Sequence, residues 1–108
     1  MFKGKKVLVL GLAKSGKAAV ELLKFMHADI TINESKKKED IPEYDTYVSE
    51  GIEMVCGGQP DELFERDFDF VVKNPGINYH APFILRLKER GIPVYTEIEL
   101  AYQVAKKQ

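Results

Sequence analysis

The 108 residues contain one cysteine, Cys56, so no internal disulfide framework can form, and a reducing compartment is expected. Its place at the end of an apolar run suggests a buried, inert thiol. Only two histidines occur, His27 and His80, and no His/Cys spacing matches a zinc site. No nucleophile–base pair can be assembled from the predicted loops either. Charge of neither sign dominates: the net charge of −1 provides no broad positive field, which argues against nucleic-acid or membrane partners. The Lys36-Lys37-Lys38 run is answered at once by Glu39-Asp40 and reads as a solvated loop. The opening Met1-Phe2-Lys3-Gly4-Lys5-Lys6 lacks an apolar stretch fit for a signal peptide or membrane span, so a cytoplasmic protein is expected. Repeats, low-complexity tracts and linkers are absent, and residues 1–108 read as a single domain. A chain of this size buries about 60–65% of the surface its unfolded form exposes.

What is present is an ordinary globular balance, 44% hydrophobic and 31% charged residues, arranged in alternation. Five short apolar runs are expected to be strands: Lys6–Leu10, Asp29–Asn33, Glu53–Cys56, Phe68–Lys73 and Pro93–Tyr95. Most are near-continuously apolar, as in parallel strands covered on both faces. Lys17–His27 carries Ala19, Leu22, Leu23 and Met26 at helical spacing, and His27 can complement that helix's dipole. Tyr44–Ser49 reads as a weaker helix, Pro60 opens a short one through Phe64, and Pro82 opens one to Arg90 with Phe83, Ile84 and Leu87 inward. Thr96-Glu97-Ile98-Glu99 is a capping box, and the helix it starts should turn Ile98, Ala101, Tyr102 and Ala105 to the core. The order predicts a Rossmann-like three-layer α/β/α fold with a five-stranded parallel sheet and right-handed crossovers. Ligands on such sheets bind beyond the carboxyl ends of the strands, near the switch in strand order.

The first of those ends is the most informative. Val7-Leu8-Val9-Leu10 runs into Gly11-Leu12-Ala13-Lys14-Ser15-Gly16-Lys17 and then a helix, whose first N–H groups have no internal partner and carry the positive end of the dipole. As an ATP-type loop this fits G-x-x-x-x-G-K, but Ala18 stands where a magnesium-binding hydroxyl belongs. As a dinucleotide fingerprint it has the outer glycines, but Ala13 replaces the middle one, while Glu34 could serve a ribose. An NAD(P)-binding dehydrogenase or regulatory domain is therefore an alternative. A third reading seats a nucleotide diphosphate on the N–H groups around Lys14, Ser15 and Gly16. The bland reading is that both glycines merely let the helix approach the sheet.

The second end, Asn33-Glu34-Ser35-Lys36, offers an acid, a hydroxyl and a cation to a base or ribose, or is simply a solvated turn. At the fourth, Lys73-Asn74-Pro75-Gly76-Ile77, Gly76 could present a flat surface to a planar base, or serve only the turn. Cys56-Gly57-Gly58-Gln59-Pro60 reads as a flexible turn, and His80 as a surface residue.

Taken in register, Lys5–Gly16, Thr31–Lys36, Lys73–Ile77 and Ile92–Ala101 resemble the N-terminal domain of the UDP-N-acetylmuramoyl-L-alanine:D-glutamate ligases, the MurD branch of the Mur ligases of bacterial peptidoglycan synthesis. The resemblance implies a UDP-binding domain in which Lys14, Ser15 and Gly16 hold the diphosphate. Glu34, Ser35, Lys36, Asn74 and Gly76 would surround the uracil and ribose. Typical members have aspartate at the position of Glu34. They also continue into a central ATPase domain and a C-terminal domain, so this chain would be a non-catalytic part of a longer enzyme. In that enzyme, ATP and Mg2+ activate the substrate carboxylate as an acyl phosphate, which the amine of D-glutamate attacks, releasing ADP and phosphate. UDP-N-acetylmuramoyl-L-alanine and the enzyme's own other domains are the partners this implies.

Overall fold

Two strands, β1 (Lys6–Leu10) and β4 (Phe70–Lys73), are apolar almost throughout because both of their faces are covered. Val7, Leu8, Val9 and Val71 have no exposed surface in the computed structural model, which describes residues 3–74 and 81–106. With β2 (Asp29–Glu34), β3 (Glu53–Cys56) and β5 (Val94–Thr96) they form one all-parallel sheet in the order β3-β2-β1-β4-β5. The expected Rossmann-like architecture is present. The strand order reverses between β1 and β4, from which the chain winds outward in both directions.

Helices α1 (Lys14–Phe25), α2 (Tyr44–Ser49) and α4 (Glu97–Lys106) cover one face, over a core including Val9, Val20, Leu23, Ile32 and Leu100. Helix α3 (Pro82–Glu89) and a 3-10 turn, Asp61–Glu65, cover the other over Leu8, Leu10, Leu63, Phe64, Ile84 and Leu87. Burying each such side chain is worth about 1.5–3 kcal/mol, and together they set the two layers against the sheet. The described residues include no helix long and apolar enough to cross a membrane.

The differences from the sequence reading have local causes. The strand expected from Phe68 begins at Phe70, because the Phe68 N–H bonds back to the Arg66 carbonyl (3.1 Å) and Arg66 lies 5.1 Å over the Phe68 ring. Helix α1 starts three residues before the expected Lys17, since the second half of the glycine turn is its first turn. His27 lies beyond that helix with φ at 60°, its N–H bonded to the Lys24 carbonyl. Cys56 is half-buried where a buried thiol was expected, and burial followed by the charge of Glu34 pushes its thiol up.

The largest correction concerns α4. Leu100 and Val104 face the core, at 0% and 6% exposure, whereas Ile98 and Tyr102 stand 73% and 64% exposed, and Ala101 and Ala105 are exposed too. The helix has two apolar stripes, and the narrower one, set against the sheet beside α1, is the buried one.

Candidate functional site

The carboxyl ends of β1, β2 and β4 meet at the switch point. There Gly11 takes φ +90°, a conformation that L side chains rarely adopt, and its N–H continues the ladder to the Asn33 carbonyl at 2.8 Å. A Cβ on Gly11 would lie 3.8 Å from Cβ of Asn74, so the turns after β1 and β4 touch. A Cβ on Gly16 would collide with the Gly11 carbonyl oxygen. Glycine at 16 is thus demanded by the approach of α1 to the strand end, the packing role of the last glycine in a dinucleotide loop.

Among the described residues, no side chain caps the N-terminus of α1. Ala13 at the N-cap has no side-chain hydrogen bond to offer, and the first turn carries no acid. The amides of residues 14–16 have no acceptor within the helix, which makes this end receptive to an anion. Helix α4 contrasts: Glu99 N–H donates to Thr96 Oγ1 (3.2 Å), Thr96 N–H donates to Glu99 Oε1 (2.9 Å), and Glu97 and Glu99 sit in its first turn. The expected capping box is formed.

Glu34 is spent on the protein's own backbone. Its Oε1 accepts the Leu12 N–H at 2.8 Å, and its Oε2 accepts the Lys36 N–H at 2.9 Å and the Ser35 hydroxyl at 3.3 Å. It is only 9% exposed. Burial pushes its carboxyl up, but the amides of Lys36 and Leu12, the Ser35 hydroxyl and the Lys36 charge together outweigh this and hold it below the ordinary value. Glu34 therefore straps the β1 turn to the β2 turn.

Asn33, which the sequence reading did not single out, does the same on the far side. It is 2% exposed, and its Nδ2 donates to the carbonyls of Val55 (3.1 Å) and Gly58 (2.7 Å). Gly57 N–H also donates to the carbonyls of Glu34 and Lys36, so the turn expected to be flexible is tied down. A buried amide at a strand's carboxyl end was the available signal.

Among the expected site residues, Lys14 is exposed at the start of α1, Gly16 is buried in its first turn, and Ser35 and Lys36 are exposed after β2. Asn74 is half-buried beside Gly11. The Ser15 side chain and Gly76, with Pro75, Ile77 and His80, lie outside the described residues. Two hollows open at this edge. One of about 50 Å³ lies among Leu12, Glu34, Lys36 and Glu43, and one of about 400 Å³ lies among Ala13, Lys14, Ala18 and Glu97. A hollow of about 370 Å³ at the opposite edge is lined by Lys6, Asp29 and a bonded set in which Arg66 chelates Glu53 at 2.7 and 3.1 Å and Glu53 also accepts the Thr31 hydroxyl.

Residues 5–96 match the family described as Mur ligase MurD-like, N-terminal domain. The chain belongs to that family. Among relatives of this MurD-like domain, UDP-N-acetylmuramoylalanine–D-glutamate ligase of Streptococcus thermophilus is 52% identical over 95% of this chain and 23% of its own length. The ligases of the same name from Streptococcus agalactiae and Streptococcus pneumoniae are 48% and 50% identical over 99% and 96% of the chain. The chain thus spans about a quarter of these relatives. In fold, the MurD-like domain is similar to apo scyllo-inositol dehydrogenase of Lactobacillus casei, with TM-score 0.62, 20% identity, and coverage of 99% of this chain and 34% of that one. Shikimate dehydrogenase of Aquifex aeolicus has TM-score 0.54 and 14% identity, covering 93% and 45%.

Proposed function

We propose that this domain anchors the UDP end of UDP-N-acetylmuramoyl-L-alanine for an ADP-forming ligase that adds D-glutamate in the cytoplasm, and that residues 1–108 act as its single, non-catalytic N-terminal domain. The carrying observation is the convergence at Gly11: the ends of β1, β2 and β4 lie in contact around an α1 N-terminus that no side chain caps among the described residues. Family membership supports the same assignment.

The geometry supports one particular seat for the ligand. Because Glu34 takes the Leu12 amide, the anion seat begins beyond it, at the amides of residues 14–16, with the Lys14 ammonium nearby. A diphosphate closer in would meet the Glu34 carboxylate. Glu34 then acts on the nucleotide through the Ser35 and Lys36 backbone that it holds, and Asn74, beside Gly11, supplies the opposite wall, while Gly76 is assigned to the uracil by the family resemblance alone. The same strap weighs against the NAD(P) alternative, since the acid that would bind a ribose already has three protein donors. Both dehydrogenase likenesses speak to fold alone.

ATP and Mg2+ do not fit the residues here. Ala18 lacks the metal-binding hydroxyl, and among the described residues no three His, Cys, Asp or Glu gather to hold a metal. Those cofactors, and the ligation chemistry, are assigned to the rest of the longer enzyme.

Titration of the 108-residue chain, followed by amide NMR, tests the proposal. UDP-N-acetylmuramoyl-L-alanine and UDP should shift the amides of Lys14, Ser15, Gly16 and Lys36, while NADH leaves them in place. Shifts with NADH and none with either uridine nucleotide would overturn it.

A further inference from the structure

The hollow at the amino ends of the strands lies across the sheet from the switch point, and nothing in the proposed function uses it. Lys6, Asp29 and Glu53 open β1, β2 and β3 there, and the Arg66–Phe68 turn before β4 joins them in lining about 370 Å³. Most of this wall is fixed by its own bonds. The Arg66 guanidinium is gripped by Glu53 and lies over the Phe68 ring. Arg90 holds the turn from behind, donating to the carbonyls of Phe64 (2.7 Å) and Arg66 (2.9 Å) and to the Asp67 carboxylate (2.8 Å). The Lys6 N–H donates to the Asp69 carboxylate at 2.8 Å. A wall set in place beforehand reduces the ordering that a ligand must impose.

Two charges in that wall are left over. Lys6 and Asp29 face one another in the β1–β2 register, where opposite charges attract across the strands. Yet among the described residues the exposed Lys6 ammonium and Asp29 carboxylate form neither an ion pair nor a side-chain hydrogen bond. We infer that this hollow binds a free α-amino acid as its zwitterion, whose carboxylate accepts from the Lys6 ammonium and whose ammonium donates to the Asp29 carboxylate. A simple anion would meet Asp29 and a simple cation would meet Lys6, so only a ligand bearing both charges gains from both. The rest of the lining, Thr31 and the Arg66–Glu53 pair, is polar and suits an uncharged polar side chain. Hollows of this order of volume accept small molecules. The inference does not rest on the nucleotide reading, so the failure of either leaves the other standing.

The test titrates L-glutamine into the 108-residue chain at fixed ionic strength and neutral pH, followed by amide NMR. The amides of Lys6, Asp29, Thr31 and Phe68 should shift with a Kd of about 1 mM, since exposed ion pairs are individually weak. The amides of Lys14 and Gly16 should stay in place. Acetate and methylammonium, each carrying one of the two charges, should leave the hollow unperturbed at the same concentrations. Equal shifts with either would reduce the hollow to ordinary surface charge and overturn the inference. Silence at ~50 mM glutamine would overturn it as well. Lys6→Met and Asp29→Asn change exposed side chains and leave the backbone bonds intact, and each should weaken glutamine roughly 5–10-fold. Undiminished affinity in either variant would place the zwitterion elsewhere, and the inference would fail.

Discussion

Gly16 and Glu34 stabilise the same turn by opposite means, one by having no side chain and the other by spending its charge. Gly16→Ala drives a methyl group into the Gly11 carbonyl, and neither backbone can retreat without disturbing the β1–β2 ladder. The expected cost is roughly 1–3 kcal/mol, read as a lower urea midpoint with unchanged slope. Glu34→Gln keeps the shape but turns one acceptor into a donor facing the Leu12 or Lys36 amide, and should cost about 1–3 kcal/mol. Its pH signature is distinctive. The folded-state carboxyl lies below its unfolded value, so its stabilisation is complete above that value and is lost as pH falls through the folded one. The stability gap between wild type and Glu34→Gln should stay flat from neutral pH down to about 5 and shrink below it. A gap that widened in acid would contradict the strap. Glu43 and Glu53, also held low by Lys17 and Arg66, are common to both proteins and cancel in the comparison.

At the scale of elements, the sequence was most readable where one local rule governs. Four residues, Thr96 to Glu99, specify the start of α4 by themselves. Thr96→Ala should therefore cost about 1 kcal/mol, seen as a lower thermal midpoint. The strands were readable because β1 and β4 are buried on both faces and have no polar side to confuse the pattern. The inward face of α4 was not, because periodicity counts apolar residues without knowing which stripe meets the sheet; Leu100 and Val104 won through contact with α1 and the sheet. The site was legible as a set of strand ends. The division of labour within it was not, since Glu34 and Asn33 acquire their roles from amides and carbonyls 22 to 25 residues away. Sequence alone could place Glu34 at a ligand edge, but not show that its oxygens were already taken.

For the whole molecule, the sheet's order determines how ligand binding should spread. β1 is bonded on both sides and fully buried past its first residue, and β4 is likewise bonded on both sides. Their amides should exchange with solvent only when the domain unfolds globally. The edge strands β3 and β5 are half-buried at most positions and should open locally at lower cost. A ligand that binds only the folded state raises global stability by RT ln(1 + [L]/Kd), so at 100 times Kd the β1 and β4 amides should slow about 100-fold. The β5 amides should scarcely respond, because their local openings leave the switch point intact. On β3 the pattern should split, with its carboxyl end, tied through Gly57 and Asn33 to the β2 turn, gaining protection that its start at Glu53 does not. Hydrogen exchange with and without UDP reads all three responses at once. Protection centred instead on Lys6, Asp29 and Arg66 would move the ligand to the opposite edge of the sheet.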